Sequence, residues 1–307
     1  MPDRFVRGLA KFTDVYTRSL PYWGRSRRQV SALERPLNLV VSERKLVADD
    51  VVSIRLAGED LPVWHPGAHL DLHLPSGLRR QYSLCGDPGE HSYRIAARLI
   101  GPGSAEVHAL KPGDRITVRG PRNAFPFVAR GKALFVAGGI GITPILPMVR
   151  MAGRLGLDWR LAYKGRSLPF LDELPAGRVT INPDREELLT DAPEGGSVYV
   201  CGPTPMLETV RRTFRDCPAT GLHYERFGPP PIVNGTPFEV QLGANGPVLD
   251  VPADRSVLSV LRDFRPSVPY SCQQGFCGTC RQRTADGSDI LVCVERTDGE
   301  RLVLEDR

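Results

Sequence analysis

The chain has no apolar run approaching the length of a membrane span, so no segment is expected to cross a bilayer as a helix. Its first residues hold no continuous apolar stretch of the kind a secretory signal needs, and export is not expected. Charge of one sign is scarce as well. The 40 Lys and Arg against 35 Asp and Glu leave a net +5, spread along the chain and too weak to point to nucleic acid. There is no internal repeat and no low-complexity tract. The sequence lacks a G-x-S-x-G elbow, which disfavours a hydrolase, and it lacks an intact G-x-G-x-x-G fingerprint. Cysteine is sparse: seven residues in 307 are too few for a secreted disulfide framework and fit a reducing, cytoplasmic setting. With 41% hydrophobic and 24% charged residues the composition is that of a globular protein, and the length implies two or three domains.

Four of those cysteines carry the strongest signal. Cys272, Cys277 and Cys280 stand in C-x4-C-x2-C spacing, with Cys293 downstream. That is the ligand pattern of a plant-type [2Fe–2S] cluster, in which two sulfide-bridged irons need four thiolates, three from one tight loop. Gly275 and Gly278 suit a backbone that turns sharply beside the sulfurs. Zinc fits less well, because only Cys277 and Cys280 form a C-x2-C knuckle. The segment 281–292 is short, which either exposes one side of the cluster or moves the fourth ligand.

Residues 1–36 precede the first strand pattern. Phe5, Leu9, Phe12 and Tyr16 recur at near-helical spacing among basic residues. A helix packed on a neighbouring domain is the favoured reading, and peripheral contact with a membrane surface the other. From Leu37 the pattern is strand-like, with Gly/Pro turns, and predicts a small antiparallel barrel over 37–130. Ala68, Leu70, Leu72 and Leu74 alternate with His69, Asp71 and His73, so the histidines are not set on a helix for metal. In Arg80-Gln81-Tyr82-Ser83-Leu84, Arg80 and Tyr82 project to one side of a strand. A guanidinium there suits a phosphate and a tyrosine ring a flat heterocycle. Gly101-Pro102-Gly103-Ser104 opens a short helix through Leu110, and a helix start is a natural phosphate seat. The two stretches together suggest a flavin site.

From Lys132 strand and helix alternate, the signature of a parallel sheet, over 131–228. Ala133–Ala137 runs into Gly138-Gly139-Ile140-Gly141-Ile142-Thr143-Pro144, with Thr143 expected as the helix N-cap. Ser197–Val200 runs into Cys201-Gly202-Pro203-Thr204-Pro205, with Thr204 expected in the same role. Both loops belong at carboxyl ends of strands, where open α/β sheets take ligands. Cys201 is read as a small residue lining a nicotinamide pocket. His223–Phe227 reads as the last strand, Gly228–Pro231 as a stiff linker, and 254–264 as a helix in a last domain, 229–307.

In this order, Arg80-Gln81-Tyr82-Ser83, Pro121–Phe125, Gly138–Pro144, Cys201-Gly202-Pro203, Glu225-Arg226-Phe227 and the cysteine loop resemble the phthalate dioxygenase reductase and vanillate demethylase reductase family over residues 37–307. The resemblance implies a flavin-binding antiparallel β-barrel, a parallel α/β nucleotide-binding domain and a β-grasp ferredoxin domain. It implies electrons passing from NADH through FMN to the [2Fe–2S] cluster and on to a terminal oxygenase, with no catalytic acid or base, in a monomer. Arg80 and the Gly103-Ser104 turn would hold the FMN phosphate, and Tyr82 and Ser83 would line its ring near Ala97, Thr143 and Phe227. NADH would dock across Gly139-Ile140-Gly141 and Cys201-Gly202-Pro203, with Arg166 at its adenosine end. Lys164 and Arg166 by charge alone favour NADPH, but Asp172 and Glu173 follow and disfavour an extra phosphate. Pro102 departs from the arginine common in the family's phosphate loop, and Thr180–Asp184 is trimmed. Two other roles fit the same parts: a redox sensor without an oxygenase, and a donor to a membrane-bound desaturase.

Overall fold

The computed structural model describes residues 36–229, 232–270, 273–275 and 278–305. The expected N-terminal helix, Cys272 and Cys277 lie outside the described residues.

The strand-like region forms β1 (Leu37–Ala48), β2 (Val51–Ala57), β3 (Ala68–His73), β4 (Arg79–Ser83), β5 (Ser92–Arg98), helix α1 (Pro102–Ala109) and β6 (Arg115–Asn123). The six strands pair antiparallel in the order β4-β3-β6-β1-β2-β5. Leu39, Ile54, Leu56, Leu70, Leu72, Ile95 and Val118 fill the interior. The alternation in β3 holds, but its polar face is not solvated. His69 and Asp71 are also buried, and Arg122 Nη2 donates to Asp71 Oδ2 at 2.7 Å. The edge strands β4 and β5 curl toward each other, and just beyond β4 the Cys85 N–H donates to the Arg94 carbonyl of β5 at 2.8 Å. This is the barrel-like closure expected of the segment.

The second sheet contains β7 (Ala133–Gly138), β8 (Trp159–Lys164), β9 (Val179–Ile181), β10 (Ser197–Cys201) and β11 (Gly221–Glu225). All pairs are parallel, in the order β11-β10-β7-β8-β9. The chain leaves β7 toward β8 on one side and returns to β10 on the other. The switch point therefore falls between the carboxyl ends of β7 and β10, where the two glycine-bearing loops are. Helices α2 (Ile142–Arg154) and α3 (Thr204–Thr213) follow those loops.

Both helix starts differ from expectation by a residue or two. Gly139–Gly141 forms one tight turn, Gly141 takes the N-cap position of α2, and Thr143 lies inside the first turn. Its hydroxyl donates back to the Ile140 carbonyl at 3.0 Å. Pro203 occupies the N-cap of α3, so Thr204 is already helical. The prolines expected at the first helical position fall one or two places later, still in a first turn that does not need their missing N–H.

The third region has β12 (Phe238–Leu242), β13 (Val248–Val251), α4 (Val257–Phe264), β14 (Arg281–Arg283), β15 (Asp289–Leu291) and β16 (Arg301–Leu304). β12 pairs antiparallel with β13 and parallel with β16, while β14 and β15 form a hairpin. Helix α4 packs Val257, Leu258 and Leu261 onto this sheet, a β-grasp arrangement. It begins later than expected, because the Ser256 hydroxyl caps it by accepting from the Ser259 N–H at 3.2 Å. Among the described residues no helix is long and apolar enough to cross a membrane.

Candidate functional site

A cavity of about 310 Å³ opens where the three regions meet. Its lining holds all eight residues expected around a flavin: Arg80, Tyr82, Ser83, Ala97, Gly103, Ser104, Thr143 and Phe227. Strands β4 and β5 give two walls, the start of α1 a third, and the loop after β7 with the end of β11 the floor. The local chemistry suits a phosphorylated, flat ligand. A Cβ on Gly103 would come within 3.0 Å of the Arg80 side chain, so glycine lets that guanidinium lie across the start of α1. In the first turn of α1 the Gly103 and Ser104 N–H groups have no carbonyl four residues back, and they remain donors for an anion. The Ser104 hydroxyl is used differently: it accepts from the Ile100 and Gly101 N–H groups at 2.9 and 3.0 Å. Pro102 sits where a helix tolerates proline, in the first turn.

On the ring side of the cavity Ser83 Oγ lies 3.5 Å from Glu225 Oε2, in donor geometry. Glu225 ends β11, and burial pushes its carboxyl up to about 8, against a smaller lowering by Ser83. Its side chain is half-buried, among protein atoms behind Ser83. Cys201, behind it at the end of β10, is fully buried, and its thiol is pushed well up by burial and by Glu225. Cys201 is thus part of the packed interior and lines none of the described cavities.

A second cavity, about 550 Å³, follows the carboxyl ends of β7 and β8. Gly139, Arg166 and Pro203 line it, and Gly141, Gly202 and Pro203 line a smaller space of about 170 Å³ beside Phe227. Arg98 lines both spaces and the first cavity, so the three adjoin. The expected loops approach backbone to backbone: a Cβ on Gly141 would stand 2.2 Å from the Cys201 carbonyl oxygen. Lys164 is tied down, its Nζ donating to the Pro183 carbonyl at 2.5 Å. Asp172 and Glu173 do not line this cavity. Glu173 is taken by Arg94 and Arg150, so its expected role against a phosphate is corrected; Asp49 and Asp50 are the carboxylates that face the space.

At the cluster loop, Cys280 and Cys293 are both buried in the ferredoxin core. The short segment 281–292 folds as the β14–β15 hairpin, and Cys293 follows it into the same core cluster as Cys280. Gly275, between Cys272 and Cys277 in sequence, has φ +85, and a Cβ there would meet Val294 at 2.7 Å. Gly275 therefore packs against Val294, the residue after Cys293. Two buried thiols beside a close-packed glycine fit a metal–sulfur group.

The family model for the 2Fe-2S iron-sulfur cluster binding domain matches residues 242–302. The phthalate dioxygenase reductase of Burkholderia cepacia is 34% identical over 88% of this chain and 97% of its own. The chain belongs to the phthalate dioxygenase reductase family. It is an oxidoreductase that carries electrons from a pyridine nucleotide to a [2Fe–2S] centre. A vanillate O-demethylase oxidoreductase from Pseudomonas sp. strain HR199 is 38% identical over 86% of this chain and 93% of its own. The solved structure described as phthalate dioxygenase reductase, a modular structure for electron transfer from pyridine nucleotides to [2Fe-2S], superposes with a TM-score of 0.66. It is 33% identical over 88% of this chain and 98% of that one.

Three residues of this family member's site escaped the sequence reading. Arg98, at the end of β5, lines all three cavities; its Nη2 donates to Ser167 Oγ at 2.7 Å and its Nε lies 2.9 Å from Asp50 Oδ2. Glu225 stood in the motif but was given no role. Tyr270 lines the first cavity from the ferredoxin region, and its proximity to Cys272 in sequence was the one available signal.

Proposed function

We propose that this chain takes electrons from NADH through FMN in the first cavity to a [2Fe–2S] cluster on Cys272, Cys277, Cys280 and Cys293, and delivers them to a terminal oxygenase. One observation carries the reading: a single cavity is lined by barrel residues, the nucleotide-sheet loop and Tyr270 of the ferredoxin region, so the three cofactor seats adjoin. Flavin, when bound, exchanges a two-electron hydride for single electrons, the conversion a one-electron cluster requires. Arg80 and the first turn of α1 anchor a phosphate, while Tyr82, Ser83 and Phe227 border the ring space. Arg98 divides the flavin cavity from the nucleotide path and is fixed there by Asp50 and Ser167. Burial raises the Glu225 carboxyl to about 8, which favours its uncharged form behind Ser83.

The assignment of parts is 1–36 as an extension, 37–130 for flavin, 131–228 for NADH and 229–307 for the cluster. No described strand crosses these bounds. NADH is favoured over NADPH because Asp49 faces the cavity that Arg166 and Arg185 share, and Lys164 is held by the Pro183 carbonyl. A cytoplasmic monomer serving a soluble oxygenase completes the reading. Released flavin identified by chromatography, with iron and acid-labile sulfide assays, tests it: FMN and two irons per chain are expected, and FAD or zinc overturns it. Comparing kcat/KM for the two nucleotides tests the donor, and a clear NADPH preference refutes that part.

A further inference from the structure

At the phosphate end of the flavin cavity Arg80 of the barrel meets two side chains of the ferredoxin region, Arg262 and Tyr270. Arg80 Cζ stands 4.2 Å from the ring centroid of Tyr270, and Arg262 Cζ, on α4, stands 3.8 Å from the same centroid. Arg80 Nη2 also donates to the Tyr270 hydroxyl. Tyr270 is only 6% exposed, so its ring is enclosed with two guanidiniums. Two like charges on one ring repel, and the electron-rich ring and the hydroxyl hold them there. Four residues on, Gln274 Nε2 donates to the Arg226 carbonyl, beside Phe227 in the cavity wall. Tyr270 and Gln274 flank Cys272 in the sequence, and each is fastened to a different wall of the flavin cavity.

The Arg80 guanidinium spends one donor on the Arg79 carbonyl at 2.7 Å and one on Tyr270. Arg80 lines the cavity with its Nε beside Gly103 at the start of α1, and a guanidinium has further N–H groups to offer. An anion bound there relieves the repulsion between Arg80 and Arg262 across the ring and leaves the hydrogen bond from Arg80 to the Tyr270 hydroxyl in place, which favours the docked arrangement. The reverse follows by linkage: a docked Tyr270 holds Arg80 where the anion needs it. We propose that Tyr270 is a positioning residue that couples occupation of the flavin-phosphate seat to docking of the cluster-bearing region on the barrel.

The proposal rests on the reading of this cavity as the flavin site. The test uses the full chain with its cluster, stripped of flavin, and two probes: FMN, and riboflavin, which lacks the phosphate. FMN should slow backbone hydrogen exchange in α4, and riboflavin should not. Tyr270→Ala should weaken FMN binding about tenfold, the scale of one charge-assisted hydrogen bond, and should abolish the FMN-dependent protection of α4. Tyr270→Phe, which keeps the ring and loses only the hydroxyl, should fall between, with cluster absorbance as the check that each variant is folded. FMN affinity within twofold of the unmodified chain in both variants overturns the coupling, as does undiminished protection of α4 by FMN in Tyr270→Ala. Failure of the unmodified chain to bind FMN at all removes the cavity reading itself, and the coupling with it.

Discussion

Glu173→Ala should loosen the joint between the barrel and the nucleotide sheet. Arg94, on β5, grips this carboxylate with both terminal nitrogens, each 2.9 Å from one oxygen. Arg150, on α2, bonds the Oε2 atom as well. Both arginines also donate to the Cys85 carbonyl, at 2.8 and 3.2 Å, and Arg94 lies 4.8 Å from the Phe170 ring centroid. The Arg94 side chain is 10% exposed, against 24% for Arg150 and 27% for Glu173, so the charge left behind by the substitution is mainly a buried one. Breaking a buried pair by removing one partner costs about 3–5 kcal/mol. The partial exposure of the other two groups reduces this to about 2–4 kcal/mol, or a melting shift on the order of 5–10 °C for a unit of this size.

The acid response fixes the sign. Burial works to raise the Glu173 pKa, but the Arg94 hydrogen bond and the charges of Arg94 and Arg150 outweigh it and leave it below its ordinary 4.5. A depressed carboxylate stabilises the fold above its unfolded pKa, and that contribution is lost as pH falls through the lower, folded value. Calorimetry of the holoprotein should therefore show a full difference between wild type and Glu173→Ala near pH 7 that shrinks below about pH 4.5. Flavin retention should fall in parallel, since Ile140 and Thr143 reach the cavity from the nucleotide side of this joint. A change under about 1 kcal/mol at pH 7, the scale of an exposed ion pair, refutes the reasoning.

Glu225→Gln should remove a pH dependence of opposite sign. The raised carboxyl stabilises the fold fully below 4.5 and loses that contribution as pH rises through about 8; with water reaching the half-buried group, the variant should gain about 2 kcal/mol on wild type between acid and alkaline pH, and a pH-independent difference in unfolding midpoints refutes the buried acid. Cys293→Ser should bleach the cluster absorbance as fully as Cys280→Ser, because both thiols are buried in one core; an intact cluster places the fourth ligand elsewhere. Arg80→Ala should weaken FMN by about 1.5–3 kcal/mol through loss of a charge-assisted phosphate contact, and unchanged affinity in fluorescence titration removes Arg80 from the seat.

What could be read from the sequence was what is local. Arg80, Tyr82 and Ser83 share a strand, and the glycine loops and the C-x4-C-x2-C run are contiguous, so their chemistry shows in the order of residues. What escaped depends on tertiary approach. Tyr270 is 190 residues from the Arg80 it touches, and Arg98 has its role only because β5 ends against the loop after β8. Glu173 was misread for the same reason: near Arg166 in sequence, it is drawn away by two arginines that approach from β5 and α2. The helix starts slipped by a residue or two because a glycine turn and Pro203 took the cap positions that threonine ordinarily favours.

The two nucleotide loops show why separately weak motifs were informative as a pair. Neither loop is a full dinucleotide fingerprint. Parallel pairing of β7 with β10 puts Ala137 beside Cys201, so the loops leave the sheet at the same level. Gly141 then comes so near the Cys201 carbonyl that any side chain would collide, and a Cβ on Gly202 would stand 2.9 Å from the Gly138 Cα. The glycines of each loop are thus required first by the other loop. The resulting close-packed floor carries the space shared by Arg98 and Phe227, and a substitution such as Gly141→Ala would force the two strand ends apart before it reached any ligand. Burial of Cys201 follows from the same packing: its carbonyl lies against Gly141, and the residue is enclosed between the two loops.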